Sequence, residues 1–248
     1  MTCGVDLANS AVYTVKIRTK NAVGLWSEWA TQTLAVSYTP PAIPIVMLAF
    51  DNIRGSITVV ATHPEPVAPQ PNVAYSDIYR DGVRIATGVV GGYIDYTPAS
   101  GRVYSYSVVA VGENGTASQS EARSGQITLS CSQLARLNGD WVRLKSNPGR
   151  SNNKNMYANS MQFAGRKKAV TQFEFHESDD YMLRFTLRTK EELDQLERII
   201  GSKETLLYRD NRGRRVFGTV PYLNTDDVRM GWYAVSFPFN AVDYNEVV

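Results

Sequence analysis

Residues Tyr181 to Val220, YMLRFTLRTKEELDQLERIIGSKETLLYRDNRGRRVFGTV, change hydrophobic period twice within forty positions. Leu183, Phe185 and Leu187 alternate with Arg184, Thr186 and Arg188, the pattern of a strand with one buried face. Thr189 stands three residues before Glu192, the spacing of a capping box, in which the hydroxyl takes a first-turn N–H and the carboxylate reaches back to the cap. Leu193, Leu196, Ile199 and Ile200 follow at helical spacing, and Gly201 offers a left-handed stop, so a helix is expected over 189–200. Leu206, Leu207 and Tyr208, the polar turn DNRGR and then VFGTV read as a hairpin. A chain of this kind must lay one helix across a β-structure.

The rest of the sequence carries no other obvious helix. Fourteen Tyr, eleven Pro and eighteen Gly in 248 residues point to a mainly β protein of at least two domains. Nowhere do about 18 apolar residues run together, so no membrane insertion by a helix is expected. The start, MTCGVDLANS, has neither a basic nor an apolar segment of the secretory kind. A net charge of +2 is too small to predict a nucleic-acid partner. Cys3 and Cys131 are far apart, which argues against a disulfide framework and for assembly in a reducing compartment.

The front of the chain repeats itself. YTVKIRTKNAVGLWS set over YSYSVVAVGENGTAS places Tyr13 on Tyr104, Gly24 on Gly115 and Ser27 on Ser118, an offset of 91 residues. Such an offset in a β-rich chain predicts tandem sandwich domains, each with a tyrosine whose phenol bonds back to the backbone at a corner. The complete copy occupies 41–130. Its Asp81-Gly82 pair is a strong hairpin signal, and HPEPVAPQPN is a Pro-rich loop that cannot join a ladder. On IYRDGVRIATG and on the strand from Tyr104 to the Gly115 turn, this stretch resembles a fibronectin type III domain, although ITVVA lacks the Trp expected in an early strand. Residues 1–38 read as the C-terminal remnant of another such repeat, with only about a dozen residues before Tyr13, so the chain is expected to be the C-terminal piece of a longer protein. Within that remnant, WSEWA resembles the WSXWS element of cytokine receptors. The resemblance implies a ladder of Trp26 and Trp29 stacked with cations of the neighbouring strand, where Lys16, Arg18 and Lys20 alternate with Val15 and Ile17. The alternative is two edge-strand tryptophans that simply cover apolar surface.

From 134 to 248 the chain becomes more charged and poorer in proline. About six strands and one helix predict a β-barrel or β-sandwich with the helix at its side. NPGRSNNKNMYANSMQFAGRKK reads as a long polar loop, TQFEFHE as a half-buried strand, and WYAVSFPFNAVDY as a terminal strand with Pro238 marking an edge. The strand–helix–strand unit, the RDNRGRRVFG turn and VSFPFNAVDY are similar to the split β-barrel of tailed-bacteriophage tail-tube and distal tail proteins. That resemblance implies a structural unit of a phage tail tip, hub or baseplate, assembled in the bacterial cytoplasm and carried on the virion. Its implied partners are copies of itself and other tail proteins, with host attachment through a cell-surface polymer as a further role. Competing readings are a carbohydrate- or cell-surface-binding module and a non-catalytic appendage of a secreted polysaccharide hydrolase.

Candidate chemistry is sparse. Arg209, Arg212, Arg214 and Arg215 cluster at a hairpin tip, with Arg166, Lys167 and Lys168 elsewhere; they read either as an electrostatic interface to an acidic neighbour or as a solvated turn. In EFHESDD, Glu174, His176, Asp179 and Asp180 offer metal-ligand chemistry, but a strand ending in an acidic turn explains them better, and Asp226-Asp227 also reads as a turn. No GxSxG, Walker or GxGxxG pattern occurs, and His63 and His176 are the only histidines, so no catalytic residue, metal or cofactor is expected and the chain reads as non-enzymatic. Tyr93, Tyr96, Tyr104 and Tyr106 could form aromatic platforms for sugars, although core and corner roles account for most of them.

Overall fold

Two tyrosines at equivalent places in the repeat make the same bond. In the computed structural model, which describes residues 7–162, 164–229 and 231–247, the Ala8 amide donates to the Tyr13 hydroxyl at 2.7 Å and the Ala99 amide to the Tyr104 hydroxyl at 2.9 Å. The turns match as well: Gly24 N donates to Asn21 O and Gly115 N to Gly112 O, with φ of 89° and 78°. Past the glycine the register departs from the gapless alignment. Ser27 accepts from Thr19 N and donates to Glu28 O; the residue doing this in the second copy, with Val108 N and Glu121 O, is Ser120 rather than Ser118. Counted from the turn glycine, the second hairpin is longer on both strands, running from Val108 to Ser120 where the first runs from Thr19 to Ser27.

In the first copy, β1 (Ala11–Ile17) pairs with β2 (Ala30–Val36) as a two-stranded antiparallel ribbon. The second copy is a sandwich. One sheet joins β3 (Ile45–Asp51), β4 (Ser56–Thr62) and, beyond the hairpin of β5 (Val73–Arg80) and β6 (Val83–Val89), β7 (Gly92–Asp95), in the order β3-β4-β7. The other places β8 (Tyr104–Gly112) beside β5, with β9 (Ala117–Gln119) and β10 (Arg123–Gly125) along its far edge. Alternate residues of both sheets meet in one core: Ile57 and Val59 from one, Ile78, Tyr104, Tyr106 and Val108 from the other. Asp81 and Gly82, at φ of 51° and 79°, make the two-residue turn whose twist suits an antiparallel hairpin.

The remaining strands form one eight-stranded sheet. They are β11 (Ser132–Arg136), β12 (Trp141–Leu144), β13 (Ser146–Met161), β14 (Val170–Leu187), β15 (Leu206–Arg209), β16 (Arg215–Thr219), β17 (Asn224–Arg229) and β18 (Trp232–Ala241). Their order is β12-β11-β15-β16-β18-β14-β13, with β17 paired to β18. Val142 and Leu144 from one end of the sheet share a core with Leu183, Phe185 and Leu187 from the other, so the sheet curls around its apolar face. The helix α1 (Lys190–Gly201) closes that core with Leu193, Leu196 and Ile199. Thr189 caps it, its hydroxyl accepting from Glu192 N at 3.2 Å. The Glu192 carboxylate reaches back one residue further than expected, to Arg188 N at 2.9 Å. At the other end Gly201 is still helical, and Lys203 takes the left-handed conformation, φ 56°.

Three expectations need correction here. Of the polar stretch read as a loop, residues 147–161 lie in the sixteen-residue strand β13, which pairs with β14. Arg150 to Lys154 are exposed one after another, on both faces, so no apolar alternation marks this part of the strand in the sequence. Pro238 is not at an edge: β18 lies inside the sheet, between β14 and the strands β16 and β17. Position 238 falls in the gap between Ser236, paired with β17, and Asn240, paired with β16, and that gap accommodates a residue lacking an N–H. Asp226 and Asp227 belong to β17; the turn follows them, at Gly231 with φ 77°.

Candidate interaction sites

Period-two alternation on β15 sends Tyr208 into the sheet core and Arg209 to the opposite face. That face meets the sandwich. Arg209 is 1% exposed, and its guanidinium donates to Gly55 O (2.5 Å), Pro98 O (2.9 Å), Arg54 O (3.0 Å) and Gln133 Oε1 (3.2 Å). Only glycine fits at 55, where φ is +72° and a Cβ would lie 2.8 Å from Arg209 Nη2. Burial pulls the Arg209 pKa down to about 10, partly opposed by the Asp95 charge, which leaves it protonated at neutral pH. Its Nε has no partner among the described residues.

The four arginines therefore do not form one exposed patch. Arg215 also turns to the sandwich, donating from Nε to Thr97 O at 2.6 Å and from Nη2 to Glu246. Arg214 folds over Asp210, whose Oδ1 accepts from the amides of Arg212 and Arg214 and whose Oδ2 accepts from the Arg214 and Arg150 guanidiniums. Arg212 is exposed at the tip. Arginine in a polar turn is usually a solvent residue. Here the alternation of β15 and a second domain across the turn bury one of them.

A charged network lies next to this junction; of its members only Arg215, Tyr93 and Tyr106 stood out in the sequence, and none of them for this role. Arg80, 8% exposed, donates to Asp95 Oδ2 at 2.7 Å, to Thr97 Oγ1 at 2.7 Å and to Glu246 Oε2 at 2.6 Å. The Tyr106 hydroxyl donates to the same Asp95 oxygen at 2.8 Å. Burial works against the charge on Arg80, but Asp95 and Glu246 more than offset it and raise its pKa. Burial and the Asp95 charge push Tyr93 up to about 12 and raise Tyr106 further. One signal was available: Asp95 occupies an inward position in YIDYT, and a buried carboxylate requires a cation or several donors.

In the first copy, Arg18 lies between both indoles, its Cζ 4.3 Å from the Trp26 ring centre and 4.5 Å from that of Trp29. The second cation is Lys20, 5.5 Å from Trp26. Lys16 sits across from Thr31 in the ribbon. Both tryptophans remain about half exposed, at 53% and 52%.

The other candidates disperse. Glu174 and His176 have side chains outside the described residues, and among those described no group of three His, Cys, Asp or Glu could hold a metal. Cys3 lies outside the described residues too, while Cys131 is half-buried. Tyr104 and Tyr106 are core residues, Tyr96 packs where a Gly139 Cβ would be, and Tyr93 lines the domain junction. His63, half-buried after β4, places Nε2 3.2 Å from Ser76 Oγ, and burial lowers its pKa. Arg166, Lys167 and Lys168 are exposed on the turn between β13 and β14. No protein-family model matches this sequence, and a comparison with curated proteins finds no match.

Proposed function

We propose that this chain is a non-enzymatic structural component of a bacteriophage tail tip or hub. Its C-terminal sheet assembles with copies of itself or with neighbouring tail proteins, and the sandwich, similar to a fibronectin type III domain, serves as a spacer held at a set angle. The observation that carries the reading is the hairpin of β13 and β14. β14 pairs with β18 only from Asp180 to Leu187, whereas β13 accompanies it out to Met161 opposite Val170. Ten residues of β14 (170–179) and eight of β13 (154–161) therefore stand clear of the sheet, a reach of about 25 Å at the rise of a β-strand. Two-stranded hairpins are marginal alone in water, and unpaired strand edges are ready pairing surfaces. An arm of this kind suits a chain that closes around its neighbours. The turn at its end carries Arg166, Lys167 and Lys168, and Asp226 and Asp227 are exposed on the edge strand β17.

Immunogold imaging of phage particles with an antibody to the sandwich tests the assignment. Label confined to one end of the tail is expected. Particles without label, together with glycan-array binding by the isolated chain, would replace this reading with that of a carbohydrate-binding module.

A further inference from the structure

The chain's last described residues act on the fold as a ligand would. Regular structure stops at Ala241, and residues 242–247 then cross from the C-terminal sheet to the sandwich. Their attachments are few. Val242 N donates to Phe217 O at 2.9 Å, the Tyr244 ring lies 4.7 Å from that of Phe217, and the Glu246 carboxylate sits between Arg80 of the sandwich and Arg215 of β16. Tyr244 is still 43% exposed and Val247 55%. Beneath the segment lies a cavity of about 130 Å³, lined by Arg80, Tyr93, Thr97, Leu137, Tyr244 and Glu246, so the segment is not packed onto its bed as a core element would be.

The bed is built without the tail. Arg80 keeps Asp95 and Thr97 as partners, and Arg215 keeps Thr97 O, so both guanidiniums are held in place from within the two domains. Each has an Nη2 turned to one point, where a carboxylate belongs. We propose that this cleft is a docking site for peptide segments carrying an aromatic residue two positions before a glutamate, filled in the single chain by its own Tyr244 and Glu246 and, between molecules, by the tail of a second copy. The second copy is the occupant because the segment whose fit is seen is the chain's own, and exchange of an identical element needs no new contacts. Exchange has to overcome the high effective concentration of the tethered tail, so it becomes dominant where copies are held side by side. The proposal does not depend on the assignment to a phage tail.

A fluorescein-labelled peptide of residues 239–248 provides the test. On the full chain carrying Glu246→Lys, whose tail is repelled by the two arginines, the peptide should bind at least about tenfold more tightly than on the wild-type chain. A peptide with glutamine in place of the glutamate should not bind. Tyr244→Ala serves as a second tail-released chain, and circular dichroism checks the fold of both. With residues 154–179 of both chains replaced by a short turn, so that the arm cannot pair, mixing a Glu246→Lys chain, which has an intact cleft, with an Arg215→Gln chain, which has an intact tail, should give a mixed dimer in sedimentation that neither gives alone. Equal peptide binding to wild-type and tail-released chains, or binding to neither, would overturn the site. Peptide binding without a mixed dimer would overturn the second copy as its occupant.

Discussion

At the scale of single residues, Arg209 and Arg212 make opposite predictions although they stand three positions apart in one hairpin. Arg209→Ala would strand three backbone carbonyls and Gln133 at the junction, and is expected to lower stability by about 2–4 kcal/mol. Arg212→Ala, on an exposed tip, should change it by less than about 0.5 kcal/mol. Urea midpoints at equal m-values read both directly. His63 predicts a pH dependence. Burial holds its folded-state pKa below the 6.5 of the unfolded chain, so the folded state binds fewer protons in that range. Its contribution is fully present above pH 6.5 and is lost as pH falls from there towards the lower folded value. Melting curves from pH 8 to pH 5 should show that loss, and His63→Phe should flatten it; equal slopes for the two chains would contradict the reading. Neither residue announced its role. Arg209 is buried by a partner more than a hundred positions away, and no local pattern carries that information.

Elements were legible where their signals are local. The Thr189 cap, the Leu193/Leu196/Ile199 stripe and the Asp81-Gly82 turn each specify backbone geometry within a few residues, and each stands in the structure where those residues put it. Of the β13–β14 hairpin, β14 was legible from the alternation of Leu183, Phe185 and Leu187, whereas β13 was hidden: Arg150 to Lys154 are exposed one after another and write no apolar face into the sequence. Pro238 misled because a proline is excluded from a ladder position rather than from a central strand as such. Thr189→Ala is expected to cost about 1 kcal/mol, seen as a lowered thermal midpoint, because a twelve-residue helix relies on its cap and on Leu196 burial rather than on propensity. A midpoint unchanged by that substitution would mean that the cap is replaced by water at no loss.

For the whole molecule, two regions differ in what holds them. The sandwich and the eight-stranded sheet each have their own core, and they meet through Arg209, the Arg215–Glu246–Arg80 contacts and the close approach of Tyr96 to Gly139. A junction of buried charge and backbone acceptors is directional, so it fixes an angle between the domains as well as holding them together. The arm projects from that unit with free edges, and on this account it exists to be paired. Sedimentation of the full chain and of one whose residues 154–179 are replaced by a short turn, each over a hundredfold range of concentration, tests this most directly. The account predicts concentration-dependent oligomers from the full chain and a folded monomer from the shortened one. A monomer from both at every concentration, or identical oligomers from both, would contradict it.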